Sequence, residues 1–187
     1  MGVNGLLKHN RLIAALWGFA EATMFFIVPD VWLSFVALHK GFRGALWAVS
    51  FAVTGAIVGG ALVYTASVWD QAATTTAIDA VPAISAGMIS DVRSSLQQDA
   101  LWAMLQGSLT GVPYKVFASQ AAVNGIELPH FALATIPARA FRFIAVTALT
   151  VMIARLLLAR ASARTKTGIL ASCWVLFYGF YFSVMPN

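Results

Sequence analysis

The sequence predicts an all-α integral membrane protein, and three observations predict it. Hydrophobic residues make up 60% of the 187 positions and charged residues 10%, against roughly 45–50% and 25% in soluble domains. A water-facing surface cannot be built from so few charges, whereas a lipid-facing one needs almost none. The apolar residues gather in runs at 12–38, 45–69, 131–158 and 168–185, with a weaker run at 101–123; about 20 such residues cross a hydrocarbon core. Lys and Arg fall mainly between the runs, the distribution that orients a chain in a bilayer. The architecture expected is a single membrane domain, 1–187, with two inverted re-entrant helical hairpins. Each hairpin is followed by a transmembrane helix, and a C-terminal transmembrane helix completes the chain.

The first run, 12–38, is interrupted by Glu21 and by Pro29-Asp30. Lys8 and Arg11 precede it, and Lys40 and Arg43 follow it. Both basic pairs share the cytoplasmic side only if the run enters and returns. Pro29 removes a backbone donor and Asp30 favours a turn, so the bend is placed there. The run at 45–69 carries no charge and is read as crossing outward. Its Gly55 and Gly59 form a G-x-x-x-G pair suited to close helix packing.

Residues 70–99 hold Asp70, Asp79, Asp91 and Asp99 with Arg93 as their one basic residue. They are read as an external loop containing a short amphipathic helix over 84–96. The run at 101–123 is broken by Gly111 and Pro113 and is read as the second re-entrant hairpin. The run at 131–158 then crosses inward and delivers Arg155, Arg160, Arg164 and Lys166 to the cytoplasm; 168–185 crosses outward again. A shift of 84 positions places Val28-Pro29 on Val112-Pro113 and Gly41 on Gly125, as an inverted repeat would.

Several function classes fall away. The net charge is +5 and the pI about 9.8, yet the basic residues form no continuous face, so no nucleic-acid partner is expected. The single cysteine, Cys173, makes no internal disulfide, and His9, His39 and His130 are scattered at chain turns, so no metal or other cofactor is expected. No phosphate-binding loop, nucleophile elbow or zinc motif is present, which argues against an enzyme. Ala20-Glu21-Ala22 mimics a signal-peptide cleavage site, but the apolar run continues through Val28, so the segment is read as retained.

Five charges fall in the interior of the apolar runs, away from their ends: Glu21, Asp30, Lys115, Arg139 and Arg142. Each costs several kcal/mol, about 2.5–3.5 on insertion scales, if left unpaired in hydrocarbon. They must pair or line a wet cavity. Carboxylates taken out of water favour their protonated form, so Glu21 and Asp30 are the candidate proton-responsive acids. Arg139 and Arg142 are three apart on one helix and share a face, and guanidiniums bind phosphate in a fork. An ion-pair network that only holds the hairpins in place is the competing reading, with Gly55/Gly59 and the amphipathic piece as docking surfaces of a membrane scaffold.

Glu21 followed by Phe26-Ile27-Val28-Pro29-Asp30 resembles the first motif of the DedA family, also called the VTT or SNARE-associated superfamily. Gly111-Val112-Pro113-Tyr114-Lys115-Val116-Phe117 is similar to the second hairpin of its short bacterial members, and Pro137-Ala138-Arg139-Ala140-Phe141-Arg142-Phe143 to the Arg-bearing helix that follows. The resemblance covers roughly residues 10–158. It departs at Thr110 and Lys115, where many members carry Arg. It implies two inverted re-entrant loops turning at Pro29 and at Gly111 and Pro113. It implies movement of a polyprenyl phosphate or phospholipid between leaflets, often linked to protons, in a bacterial inner membrane with the N-terminus cytoplasmic. On this reading Lys115, Arg139 and Arg142 hold the anionic head group. The partners are then membrane lipid and protons, and a homo-oligomer is compatible with the pattern.

Overall fold

A computed structural model describes residues 7 and 9–184. The expectations that concern Lys8 and the last residue of the final run lie outside that set. Among the described residues there are eight helices and no strand: α1 (Asn10–Thr23), α2 (Asp30–Trp69), α3 (Gln71–Asp79), α4 (Ala86–Gln98), α5 (Ala100–Thr110), α6 (Tyr114–Ala121), α7 (Leu128–Leu156) and α8 (Ala163–Val184). Three of them, α2, α7 and α8, are long and apolar enough to cross a membrane.

The first run breaks over residues 24–29, ahead of Pro29-Asp30 and not at the pair itself, because Pro29 and Asp30 open the next helix instead of turning the chain. Helix α1 ends at Thr23, and Pro29 stands at the N-cap of α2. The chain then doubles back along α1. The Trp17 indole donates to the Ile27 carbonyl at 2.9 Å, the Trp32 indole to the Asn10 carbonyl at 3.2 Å, and Lys40 Nζ to the Leu7 carbonyl at 2.6 Å. The partner number falls as the chain advances, so this stretch is antiparallel to α1.

The 40 residues of α2 are two helical pieces joined at Gly41, whose φ of 70° and ψ of 179° are not helical. That region belongs almost to glycine alone. The kink separates the hairpin leg, 30–40, from the long helix, 42–69. Gly55 and Gly59 then meet α1 backbone to backbone. A Cβ at Gly55 would collide with the Ala15 carbonyl, and one at Gly59 would press on Phe19 and Ala22. The G-x-x-x-G pair is therefore consumed inside the chain.

The second half repeats the plan. Helix α5 ends in Gly111, left-handed at φ 90°, and Pro113 is the N-cap of α6. Gly125 follows with φ 72°, close to the 70° of Gly41, 84 positions earlier. The long helices of the two halves run antiparallel. Tyr64 stacks on Phe131 with ring centroids 6.0 Å apart, while Phe42 shares a groove with Met152 and Arg155 at the other end.

Residues 70–99, expected as an external loop with one short helix, form two capped helices. Asp70 and Asp99 each accept a backbone N–H at 2.9 Å, from Ala73 and Trp102, and Ser85 accepts that of Met88 at 3.3 Å. Two of the four acids that gave the stretch its aqueous character are N-caps, which satisfy otherwise orphaned helix donors. The amphipathic helix is real but starts at Ala86, not Ile84. Its Ile89, Val92 and Leu96 are buried in one core with Met104, Phe117 and Ile78, so this apolar face is also occupied internally. Helix α8, by contrast, buries none of its side chains.

Candidate functional site

The two bends and helix α7 converge on one cluster of charges. Glu21 comes from the last turn of α1, Asp30 from the first turn of α2, Lys115 from the first turn of α6, and Arg139 and Arg142 from α7. Arg139 Nη2 donates to Glu21 Oε2 at 2.5 Å, with both side chains 3% exposed. Arg142 reaches Asp30 Oδ2 with Nε and Nη2, each at 2.9 Å. Its remaining Nη1 donates to the Ser108 carbonyl at 2.9 Å, near the C-terminal end of α5 where carbonyls lack helical partners. The two arginines thus share a face, as their spacing requires, but each is held by its own carboxylate. They do not form a free double fork.

Lys115 takes a different partner from the one its charge suggested. It is buried, and its Nζ donates to the Phe25 carbonyl at 2.7 Å, in the non-helical bend between α1 and α2. A buried bend must find donors for its carbonyls inside the protein. Lys115 supplies one of them, tying the second half to the first bend. Pro29, Pro113 and Gly111 play no part in binding charge here. Pro29 and Pro113 start helices, and Gly111 ends one.

Aromatic rings complete the walls. The Arg139 guanidinium carbon lies 4.7 Å from the Phe143 ring centroid and 5.3 Å from that of Tyr114, within the range of a cation–π contact. Tyr114 Oη and Thr135 Oγ1 are 2.8 Å apart. Gly60 gives Tyr114 its place, since a Cβ there would occupy the position of the hydroxyl.

Sequence reasoning missed the contribution of α8. Tyr178 Oη accepts the N–H of Val28 at 2.8 Å, satisfying a donor of the first bend. Trp174 Nε1 donates to Ser34 Oγ at 3.0 Å, and Thr167 Oγ1 and His39 Nε2 are 3.1 Å apart. A signal was present: Trp174, Phe177, Tyr178, Tyr181 and Phe182 recur at helical spacing in a run that hydropathy alone scored as a plain span.

Two spaces open onto the charges. A small cavity of about 50 Å³ is lined by both bends, by Glu21, Lys115, Arg139 and Arg142, and by Tyr178 and Tyr181. It has room for a few waters, each needing about 10–15 Å³ on the same measure. A groove of about 640 Å³ runs between α7 and α8, with Asp30 and Arg142 among its lining and mostly apolar side chains along its length. Gly111, Arg142, Phe177 and Tyr181 line both spaces. Arg142 is 19% exposed where Asp30 is 0%, so Arg142 is the more accessible member of its ion pair.

Elsewhere, Cys173 is exposed and His130 stands 3.5 Å from Glu127 at the surface. Among the described residues no three His, Cys, Asp or Glu side chains gather as a metal site. Comparison with protein-family models, with curated proteins and with solved structures finds no match to this chain.

Proposed function

We propose that this chain is a transporter that moves a phosphate-bearing lipid, a polyprenyl phosphate or a phospholipid, between the leaflets of a bacterial inner membrane. The observation that carries the reading is Arg142, which is paired to Asp30 and lines both the small cavity among the buried charges and the long, mostly apolar groove. An amphiphile needs both surfaces at once: a cation for its phosphate and an apolar wall for its chain. The small cavity is too tight for a head group as it stands, so the groove side of Arg142 is the entry.

The helix lengths support re-entrant hairpins. Helix α1 has 14 residues and α5 has 11, which at about 1.5 Å per residue is roughly 21 and 17 Å, short of a ~30 Å core. Opposed broken helices meeting near the midplane are a recurrent way to build a transport site. The family resemblance of the sequence points the same way and adds the orientation, with the N-terminus cytoplasmic. In this scheme Asp30, whose arginine is the more open one, is the acid that takes up a proton, and Glu21 holds Arg139 in place. Protonation of Asp30 releases Arg142 to a phosphate, and Lys115, Arg139 and Arg142 together lower the cost of carrying that charge past the midplane.

The scaffold reading needs free docking surfaces, and the two it named are occupied inside the chain. The deciding experiment reconstitutes the protein in liposomes with tail-labelled phospholipid or polyprenyl phosphate and follows the leaflet distribution. The expected result is equilibration that Arg142→Gln abolishes while the variant still purifies folded. Unchanged leaflet distributions with the wild-type protein overturn the proposal.

A further inference from the structure

A second groove lies at the C-terminal end of α7, apart from the charge cluster. Ala148, Val151, Met152, Arg155 and Leu156 follow one another at helical spacing down the last turns of α7. With Phe42, just past the Gly41 kink of α2, they line a space of about 380 Å³. Arg155 is the only polar residue of that lining, and among the described residues it joins no ion pair. At about 1.5 Å per residue it stands roughly 20 Å along the helix from Arg142, so the two arginines cannot share a ligand's phosphate. The 29 residues of α7 extend roughly 44 Å on the same measure, past a ~30 Å hydrocarbon core and into the head-group zone. Arg155 is in the last turn and therefore stands at head-group level, with the apolar part of the groove running inward from it.

The charge at this end is of one sign. Lys40, Arg43, Arg160, Arg164 and Lys166 belong to it, because Phe42 meets Arg155 there and His39 meets Thr167. All seven Asp and Glu residues lie elsewhere, at 21 and 30, within 70–99 and at 127. We infer that the groove is a binding site for an anionic phospholipid that stays in its own leaflet. The phosphate sits on the Arg155 guanidinium, whose fork matches its oxygens, and the upper part of one hydrocarbon chain lies against Phe42, Val151 and Met152. Basic pockets between membrane helices hold anionic head groups in this way. A zwitterionic head brings its own cation into a field that is already positive and gains little. A free phosphate leaves the apolar length of the groove empty. The site needs the chain to be in a membrane, but it needs no lipid to cross one, so it stands apart from the transport reading.

The test equilibrates the purified full-length chain with detergent micelles containing phosphatidylglycerol or phosphatidylcholine of the same chains, and counts bound lipid by native mass spectrometry. Phosphatidylglycerol is expected to be retained about tenfold more, the worth of one charge-assisted contact. Arg155→Gln should bring the two lipids to parity, whereas Arg142→Gln should leave the preference standing. Met152→Trp keeps every charge and fills the groove, and it should cut phosphatidylglycerol retention several-fold. Arg155 and Met152 are both exposed, so neither variant disturbs the core. Equal retention of the two lipids by the wild type overturns the inference. A preference that is lost with Arg142 and kept without Arg155 also overturns it, because the lipid is then at the charge cluster. A preference indifferent to Met152→Trp overturns it as well, since the surface is then diffusely basic and has no groove site. Leaflet transfer is read in parallel: the preference without transfer defeats the transport reading and leaves this site standing, and transfer without the preference does the reverse.

Discussion

Glu21 and Asp30 are both buried carboxylates paired with arginine, yet their surroundings give them different tasks. The Glu21–Arg139 pair is sealed, with both side chains 3% exposed and the guanidinium flanked by Tyr114 and Phe143. Removing one partner of such a pair costs about 3–5 kcal/mol, because the other is left charged and dry. Glu21→Gln is therefore expected to lower the thermal unfolding midpoint in detergent markedly, and adding Arg139→Gln to recover part of the loss. A double-mutant cycle with no coupling between the two would show that the pair is not the source. Arg142 is the more open guanidinium and directs three donors at two acceptors. An ammonium is a point charge and cannot hold that fork. Arg142→Lys should leave the fold largely intact, within about 1–3 kcal/mol, and slow leaflet transfer sharply; transfer at the wild-type rate would remove Arg142 from the mechanism.

At the scale of elements, the helices are placed by where backbone can approach backbone. Gly18 and Gly55 let α1 and α2 touch main chain to main chain, so a side chain at either would meet a carbonyl of the other helix. Gly168 and Gly179 on α8 have open space where a Cβ would go. Gly55→Val is expected to abolish the folded monodisperse protein on size exclusion. Gly179→Ala should be neutral or gain up to about 1 kcal/mol from helix propensity. Gly41 differs again, because space is free around it but its backbone angles are not. Gly41→Ala should cost about 1–3 kcal/mol through strain alone, read as a lower unfolding midpoint; an unchanged midpoint would mean that the kink is not held.

At the scale of the whole molecule, the stretches before α2 and before α7 resemble each other, and α8 lies against the start of α2. The halves share a Pro-started helix and a positive-φ glycine 84 positions apart, and their long helices are antiparallel. In the proposed topology residues 70–99 face outside, whereas Lys40 and Arg164 face the cytoplasm. Because Cys173 is exposed, it is first replaced by Ala. Single cysteines at exposed positions such as Gln97 and Ser94 should then react with an impermeant reagent from outside intact cells, and cysteines at 40 and 164 should not. Labelling at 40 from outside would mean that the first segment spans, and the paired-hairpin arrangement would fail.

Much of this was written in one dimension. Hydropathy, helix breakers and charge are properties of residues and their order, so the apolar runs, the breaks next to Pro29 and Pro113, and the five charges set inside those runs could be read directly. Acidic residues misled at 70–99, because Asp70 and Asp99 are as polar in an N-cap as in a loop, and composition does not tell the two apart. What the sequence left open is which charge meets which. Arg139 and Arg142 have the same chemistry and lie on the same face, and only the crossing of α7 over the two bends sends one to Glu21, the other to Asp30, and Lys115 to a carbonyl. The same holds for Tyr178, whose hydroxyl acquires its role when α8 lies against Val28, 150 positions away. A residue's polarity is local and legible, whereas its partner is set by long-range packing that brings distant backbone together.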